Sequence, residues 1–498
     1  MQPVPLFGAG VYAKSAVVTR QRRVNCYYEN RADGDKAKIV IYGTPGLVKV
    51  FSVGSPLNTP VRAILGPTNS SLYAVVSNEF QSIAPPATVG APASVLFSGF
   101  IGTSQGLASL AANPNVSQIL IVDGSSGWVF NTQAQTLTQL GAGAAWFTPG
   151  ARTCTNIGGY FVTEVPGTGQ FAASNINDAT TGYALSIATA AAYPDIMVAV
   201  DNNAGNLILF AQQHLEFWQP VGTPPPAQPF QLIQSSPIRW GLAAPFARVE
   251  ADTALFFLGQ TKAGTRRVCR IDGYTVTPVS AEIDYILNQP GFVYADATML
   301  SYQRDVHAFV QLTFPTMNRS FLYDCASGIW SETQTGLSTG PYVRHTANIS
   351  TYYNGDTLLC DYQNGFVYRM DDNTYADNGT PVLREVVTKH QTRGYNRFRI
   401  PQLYLDMETG VGLSGNSAAP VQGQAPVISI ECSKDNGRTW LQARLLPVGA
   451  QGQFVTRVNA RRFGMSRVFT FRIRMTDPVK FVITDGAIRR KGKPETPG

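Results

Sequence analysis

Residues 307–312 read HAFVQL, residues 320–324 read SFLYD and residues 327–330 read SGIW. Each segment is a short apolar run of the kind that forms a β-strand, and turn-forming residues separate the runs. The second run ends in Asp324, four positions before Gly328, and both residue types favour tight turns. The segment therefore predicts a small antiparallel sheet of short strands joined by turns.

The same strand–turn–strand unit recurs at intervals of 41–53 residues, with apolar runs that begin near residues 72, 118, 159, 207, 254, 307 and 357. Repeats of about 40–50 residues with four short strands each are typical of β-propeller blades. Stacking the blades in a ring buries both faces of each sheet and protects the strand edges. We therefore predict an all-β protein whose body is a β-propeller of about six to seven blades. A stack of β-sandwiches is the alternative.

The composition fits a large folded protein with extensive contacts. Of the 498 residues 44% are apolar, which supports a sizeable core and excludes bulk disorder. Only 14% are charged, against about 25% in an average soluble domain, so we expect partners to cover much of the surface. The sequence has no apolar run long enough to predict a membrane span. Residues 1–5 lack the basic and apolar regions of a signal peptide. The cysteines form no CxxC pair, so free thiols are expected.

Charge is distributed unevenly along the chain. Residues 1–50 carry a net charge of +5, residues 51–383 carry −9 and residues 384–498 carry +11. Of the 39 basic residues 29 are arginine, whose planar guanidinium makes bidentate contacts and suits protein interfaces. Arginine also contacts nucleic-acid phosphates. The arginine bias therefore leaves both kinds of partner open.

The chain divides into four predicted segments. After the propeller, the runs VISIEC (427–432) and VFTFRIR (468–474) predict a separate small β-unit. The last residues, from Arg489 onward, are basic and are expected to be disordered unless a partner binds them. The predicted segments are an N-terminal segment that completes the tube or closes a blade (1–50), the propeller (51–399), the C-terminal β-unit (400–488) and the basic tail (489–498).

One local motif is specific enough to predict a turn. Residues 433–440 match the pattern S-x-D-x-G-x-T-W, the Asp-box, in which the side chains bond to their own backbone and glycine supplies a positive φ. The pattern resembles a structural hairpin of sialidases, but a sialidase also needs an arginine cluster, a Tyr–Glu pair and an Asp on different blades. We interpret the motif as a structural turn, with the motif residues Ser433, Asp435, Gly437, Thr439 and Trp440.

A second motif matches a catalytic pattern without its context. Residues 102–106 (GTSQG) fit the nucleophile elbow G-x-S-x-G, which needs a strand-to-helix turn and a later Asp and His. The chain lacks alternating strands and helices, so we interpret this segment as a polar turn. His214 is expected to be a core or rim residue. The sequence also contains no P-loop, HExxH or EF-hand motif, so we predict no catalytic residue, no metal and no cofactor.

Four longer stretches resemble the packaged-DNA stabilisation, or tail-hub (nozzle), proteins of short-tailed phages. They agree with that family in order and spacing over most of the chain. The stretches are QRRVNCYYE (21–29) with GTPGL (43–47); GGYFV (158–162) with FAASNINDATT (171–181); LF (209–210), EFW (216–218), GLAAP (241–245) and FLG (257–259); and the region from the Asp-box through RRFG (461–464) to DPV (477–479).

The resemblance implies a structural virion protein without catalysis, assembled in the host cytoplasm. Such proteins form a ring, six-fold in the best-known relatives, below the portal and adaptor. The ring extends the channel for double-stranded DNA and helps to retain the packaged genome. A needle or plug closes its far end, and fibre proteins also dock there. The blades face outward, the terminal unit helps to build the tube, and no membrane insertion is implied.

The basic terminal unit is the predicted interface. We expect it to meet an acidic adaptor or a neighbouring copy through Arg461, Arg462, Arg489, Arg490 and Lys491. If the acidic body lined the channel, it would repel DNA and keep it from sticking during passage. The alternative function is a propeller glycosidase or sialidase-like hydrolase, or a glycan-binding module, that acts on the host surface.

Overall fold

The computed structural model describes residues 6–8, 12–30, 39–54, 59–68, 71–113, 115–141, 143–182, 187–190, 195–222, 228–233, 237–337, 342–394, 396–415 and 421–491. The regular secondary structure of these residues is almost entirely β-strand. The first four strands are β1 (Arg22–Val24), β2 (Cys26–Asn30), β3 (Ile39–Gly43) and β4 (Gly46–Ser52).

The next sixteen strands form four antiparallel sheets of four strands each, which are blades one to four. They are β5 (Val61–Thr68), β6 (Ser71–Val76), β7 (Glu79–Ala84), β8 (Ser94–Phe100), β9 (Ser109–Asn113), β10 (Gln118–Val122), β11 (Gly127–Asn131), β12 (Thr136–Gln139), β13 (Cys154–Ile157), β14 (Tyr160–Val165), β15 (Gln170–Ala173), β16 (Ile187–Thr189), β17 (Met197–Asn203), β18 (Asn206–Ala211), β19 (Leu215–Pro220) and β20 (Phe230–Leu232).

Three further blades follow, with one short helix, α1 (Asp284–Leu287), between the fifth and sixth. Blade five contains β21 (Gly241–Leu242), β22 (Arg248–Ala251), β23 (Ala254–Gln260), β24 (Arg266–Asp272) and β25 (Thr275–Pro278). Blade six contains β26 (Thr298–Arg304), β27 (His307–Phe314), β28 (Arg319–Asp324) and β29 (Ile329–Thr333). Blade seven contains β30 (Ala347–Tyr353), β31 (Asp356–Asp361) and β32 (Phe366–Asp371), with the short β33 (Ala376–Asp377) and β34 (Thr380–Pro381).

The N-terminal strand β4 closes the propeller. It pairs antiparallel with β32, from Gly46 opposite Asp371 to Ser52 opposite Phe366, and so supplies the outer strand of the seventh blade. This pairing joins the two ends of the blade series through backbone hydrogen bonds. The described residues thus form a seven-bladed propeller, which confirms the predicted fold and fixes the blade number.

The central strands explain the sequence pattern. All six residues of β14 are buried, because each blade packs between two neighbours and loses both faces to the core. Aromatic rings fill the spaces between blades. The ring centroids of Phe80 and Phe130 are 4.9 Å apart, and those of Phe210 and Phe257 are 5.2 Å apart. The apolar runs predicted from the sequence therefore correspond to the second strand of six blades and to β23 in blade five.

The remaining strands form a terminal β-sandwich. One layer has the order β1-β35-β42-β38-β39, with β36 also paired to β42. The other layer, which we call the outer sheet, has the order β2-β3-β43-β37-β40, with β41 paired to β37. The strands not yet bounded are β35 (Arg384–Val387), β36 (Gln391–Thr392), β37 (Phe398–Met407), β38 (Val427–Ser433), β39 (Arg444–Pro447), β40 (Val458–Arg461), β41 (Met465–Ser466), β42 (Val468–Met475) and β43 (Val482–Lys491).

A single sheet connects the sandwich to the propeller. Strand β1 pairs in parallel with β29 of blade six, where Val24 lies opposite Glu332, and antiparallel with β35 on its other side. Buried apolar residues hold the two sandwich layers together, among them Phe398, Ile430, Phe471 and Ile473. The propeller and the sandwich therefore share backbone hydrogen bonds.

The structure divides the chain differently from the segments expected from the sequence. The first fifty residues are split, because β1–β3 belong to the sandwich and β4 belongs to blade seven. The sandwich includes β35, which starts at Arg384, ahead of the expected boundary at residue 400. Strand β43 continues to Lys491, so residues 489–491 are strand residues, whereas residues 492–498 of the expected tail lie outside the described residues. These pairings join distant parts of the chain, which local periodicity does not reveal.

Candidate assembly interface

The register of the outer sheet gathers arginines at one end. Arg399 on β37 lies opposite Lys491 on β43, and Gln402 lies between Arg461 on β40 and Arg489 on β43. Arg399, Arg461 and Arg489 are exposed. They alternate with buried neighbours along their strands, so their side chains project from the outer face of the sheet.

Turns at the same end of the outer sheet add further arginines. Arg462 follows β40, Arg397 precedes β37, and Arg467 follows β41, which pairs with Phe398 and Arg399. We call the whole set the basic end, and it comprises Arg397, Arg399, Arg461, Arg462, Arg467, Arg489, Arg490 and Lys491.

The structure brings the five interface residues expected from the sequence to this one end. It also adds Arg397, Arg399 and Arg467, which the sequence analysis missed because only strand pairing places them beside the others. Arg490 differs from the exposed arginines: it is half-buried, donates to Gln391 at 3.0 Å, and its guanidinium lies 5.5 Å from the ring of Phe398. Arg490 therefore packs against the sandwich.

The exposed arginines of the basic end are not neutralised within the chain. Over the described residues, no ion pair involves Arg397, Arg399, Arg461, Arg462 or Arg489. Like charges gathered on one exposed surface attract an oppositely charged partner and repel one another without it. Such an arrangement is electrostatically complementary to an acidic protein surface or to a phosphate backbone.

The opposite end of the outer sheet is acidic. Asp406 on β37 lies opposite Asp485 on β43, and Glu408 forms an ion pair with Lys480 at 2.9 Å. At about 3.3 Å per residue, Gln402 and Asp406 are roughly 13 Å apart, and Arg399 and Glu408 are roughly 30 Å apart. The outer sheet thus carries positive charge at one end and negative charge at the other.

The Asp-box forms a hydrogen-bonded turn after β38. The Asp435 carboxylate accepts bonds from the Ser433 hydroxyl at 2.7 Å and from the Thr439 hydroxyl at 2.6 Å and amide at 2.9 Å. Although the slight burial of Asp435 acts to raise its pKa, the bonds from Thr439 and Ser433 outweigh this and lower the pKa to about 2. Gly437 adopts a φ of +78°, which favours glycine.

The same turn contacts the N-terminal part of the chain. A Cβ on Gly437 would lie 3.1 Å from the side chain of Arg20. Trp440 lies 4.3 Å from the guanidinium of Arg472, which also bonds to Glu431. These contacts fix the position of the turn against the sandwich.

A buried charge cluster joins the propeller to the sandwich. Glu332 on β29 accepts hydrogen bonds from Arg22 at 2.8 Å, from Arg319 at 3.0 Å and from the hydroxyl of Tyr12. Glu385 on β35 accepts from Arg22 at 3.2 Å and from Arg474 on β42 at 2.6 Å.

Glu332 is 4% exposed. Burial acts to raise its pKa, but the positive charges of Arg22 and Arg319 outweigh this and lower the pKa below the ordinary value. The cluster ties blade six, β1 and the sandwich into one unit. The sequence shows no local signal for it, because its members are far apart in the chain.

The elbow-like segment 102–106 lies in the connection between β8 and β9. Arg62 donates to the carbonyl oxygens of Thr103 at 2.6 Å, Gln105 at 2.8 Å and Gly106 at 2.6 Å. The segment therefore wraps around a guanidinium and joins two strands, in place of the strand-to-helix turn that a nucleophile elbow requires.

His214 is buried between two carboxylates. Its Nδ1 lies 3.1 Å from Asp195, and its Nε2 lies 3.3 Å from Glu216. Burial acts to lower the pKa of His214, but Glu216 and Asp195 raise it above the ordinary value. Over the described residues, no group of three or more His, Cys, Asp or Glu side chains is placed to hold a metal ion. Nor does any helix described here reach the length and apolarity of a membrane span.

Comparison with protein families matches both parts of the chain. A model described as bacteriophage P22 Gp10, beta-propeller, matches residues 6–375, and one described as bacteriophage P22 Gp10, beta-sandwich, matches residues 383–491. A propeller followed by such a sandwich defines a structural tail protein of a bacteriophage, and therefore a virion component. The chain belongs to the bacteriophage P22 Gp10 family. This membership confirms the resemblance inferred from the sequence.

Several solved structures match the chain at low sequence identity and with low TM-scores. The N-terminal domain of Nup159 is 8% identical over 70% of this chain and 98% of its own, with a TM-score of 0.39. The WD40 beta propeller domain of Doa1 is 9% identical over 66% of this chain and 98% of its own, also with a TM-score of 0.39. Hydrazine synthase of Kuenenia stuttgartiensis is 11% identical over 64% of this chain and 98% of its own, with a TM-score of 0.41. A comparison with curated proteins finds no match.

Proposed function

We propose that six copies of this chain form a ring at the distal end of a phage tail. The ring extends the channel for double-stranded DNA and helps to retain the packaged genome until ejection. It docks a head-to-tail adaptor on one side and plug, needle or fibre proteins on the other. Assembly takes place in the host cytoplasm, and the protein acts without catalysis and without inserting into a membrane.

The observation that carries the proposal is a group of exposed arginines on the sandwich of a Gp10-family chain, Arg397, Arg399, Arg461, Arg462 and Arg489, which form no ion pair with any described residue. A ring of identical copies needs two different surfaces on each copy that fit together and close. The exposed Arg399, Arg461, Arg462 and Arg489 supply one such surface, and Arg490 and Lys491 lie beside them at the end of β43. In this proposal they meet the acidic surface of the adaptor or of a neighbouring copy.

The charge distribution supports different roles for the propeller and the sandwich. Residues 51–383, which include nearly all of the propeller, carry a net charge of −9, so an outward-facing propeller has little attraction for DNA phosphates. In this proposal the propeller faces outward and the sandwich forms the tube wall. The Asp-box residues Ser433, Asp435, Gly437, Thr439 and Trp440 hold a structural turn of that wall.

Negative-stain microscopy of the purified chain, alone and with its adaptor, tests the proposal. Rings in either sample support it. A particle that stays monomeric in both samples contradicts it, and hydrolysis of a fluorogenic glycoside by that monomer would establish the alternative enzyme.

The role of the basic residues has its own test. Changing Arg461, Arg462 and Arg489 to Gln is expected to weaken ring formation or adaptor docking, and unchanged assembly refutes their role. DNA binding in a filter assay that falls steeply with salt would instead assign these residues to the phosphate backbone.

A further inference from the structure

We propose that the basic end of one copy docks on the acidic end of the next copy, with an arginine of the first inserted into a tyrosine-lined cavity of the second. This inference rests on the proposed ring and names the two surfaces that close it. We define the acidic end by Glu29, Asp305, Asp372, Asp406, Glu408 and Asp485.

The cavity lies where the acidic end meets the propeller. It has a volume of about 300 Å³, and its lining includes Tyr27, Tyr42 and Tyr375 together with Asp305 and Asp372. Lys480 also lines it but is paired with Glu408, and Asp372 is paired with Arg304 at 3.2 Å, so Asp305 is the lining carboxylate that faces an incoming guanidinium most directly. At about 30 Å³ per water it has room for roughly ten waters, so one guanidinium group and its stem fit. The cavity therefore combines aromatic faces with carboxylates around a space of suitable size.

The aromatic wall is held in place by packing. The rings of Tyr27 and Tyr42 stack with centroids 5.6 Å apart, and Tyr27 also contacts His307 at 5.1 Å and Phe309 at 5.3 Å. His307 is itself fixed by Asp324 at 2.9 Å. A rigid wall lowers the entropy lost when a side chain is bound.

Arginine is the side chain that this cavity suits. Within the same chain, guanidinium groups stack on tyrosine rings at short distances: Arg344 lies 3.2 Å from the ring of Tyr362, and Arg319 lies 3.7 Å from that of Tyr342. A guanidinium attracts both an aromatic face and a carboxylate, and its planar shape suits both. The basic end is the described surface that offers several exposed arginines for this purpose.

The two ends also satisfy the geometry of a closed ring. They lie at opposite ends of the outer sheet, roughly 13–30 Å apart along β37, so contact between them is heterologous and each copy uses both surfaces once. Contact between two identical ends would oppose like charges. The adaptor and DNA are the competing occupants of the basic end.

A charge-swap experiment on the full chain, with adaptor present if the wild type needs it, tests the docking. The donor variant carries Arg399→Glu, Arg461→Glu and Arg489→Glu; the acceptor variant carries Asp305→Lys, Asp372→Lys and Asp485→Lys. Mass photometry measures the concentration at which half of the protein is in rings. Each single-surface variant is expected to raise that concentration at least about 100-fold. Mixing the two variants is expected to restore rings in which the variants alternate, because every interface then joins opposite charges.

A matched control reverses three exposed basic residues on the propeller, by Arg152→Glu, Arg239→Glu and Lys262→Glu. The control is expected to assemble like the wild type, and equal thermal unfolding of all variants shows that each one folds. Rings from both single-surface variants overturn the inference while leaving the proposed ring intact. Loss of assembly in the donor variant alone, together with loss of DNA or adaptor binding, also overturns it. Absence of rings in the wild type contradicts the proposed function itself.

Discussion

Replacing Glu332 with Gln should destabilise the joint between the propeller and the sandwich. The substitution keeps the volume of the side chain, so it removes a charge without opening a cavity. Glu332 is 4% exposed and bonds to Arg22 and Arg319, whose side chains are 23% and 7% exposed. After the substitution Arg22 retains Glu385 at 3.2 Å, whereas Arg319 loses its ion-pair partner in a buried environment.

Removing one partner of a buried ion pair destabilises a protein by about 3–5 kcal/mol. Because Arg22 keeps a second carboxylate and partial access to water, we expect a loss near the lower limit, about 3 kcal/mol. The effect should depend on pH. The pKa of Glu332 in the folded protein lies below its ordinary value. Its contribution to the free energy of unfolding is therefore fully present above the pKa of a glutamate in the unfolded chain, and it is lost as the pH falls through the pKa of Glu332 in the folded protein.

Equilibrium urea unfolding measures this loss through the midpoint and slope of the transition. The exposed Glu250 on blade five provides the control, and Glu250→Gln is expected to change the free energy of unfolding by less than about 0.5 kcal/mol. A loss below about 1 kcal/mol for Glu332→Gln, or a pH dependence equal to that of the wild type, would refute the reasoning.

Three other predictions concern single residues. Gly437→Ala should lower the free energy of unfolding by more than Gly167→Ala, because both positions have positive φ but only Gly437 faces the Arg20 side chain; equal losses in thermal unfolding would contradict this. The Asp435 carboxyl should stay ionised on acidification until about pH 2, which NMR titration measures, and Thr439→Val should raise that pKa; a midpoint near 4 in the wild type would contradict the turn geometry. Burial lowers the pKa of His345 to about 4, so neutral His345 contributes fully to folding stability above pH 6.5, and this contribution falls as the pH drops toward 4. His345→Gln should therefore remove the decline in the urea midpoint between pH 6.5 and pH 4. An unchanged decline in the variant would contradict this prediction.

Local patterns predicted the repeating part of the fold well. The apolar runs near residues 118 and 207 coincide with β10 and β18, the second strands of their blades. They are recognisable because burial on both faces makes them continuously apolar. The Asp-box was equally visible, since its hydrogen bonds join residues within five positions of one another.

Features that depend on distant pairing were not predictable in the same way. Strand β4 reads like any other short strand, and its partner β32 lies more than 300 residues later. Arg399 acquires meaning only from its register with Lys491. The sequence placed Arg461 and Arg489 in a basic unit, but the acidic end combines residues of β2, blade six and β43 that no single segment contains.

The split of the first fifty residues between β1–β3 and β4 affects how the protein can be made. These strands leave the ribosome first, yet their partners β32, β35 and β43 are synthesised last. Closing such long loops delays folding until translation is complete. A truncated product, whether from a stalled ribosome or from a protease, lacks the strands that its own beginning requires. Only complete molecules can then acquire a finished sandwich and be incorporated into a growing tail.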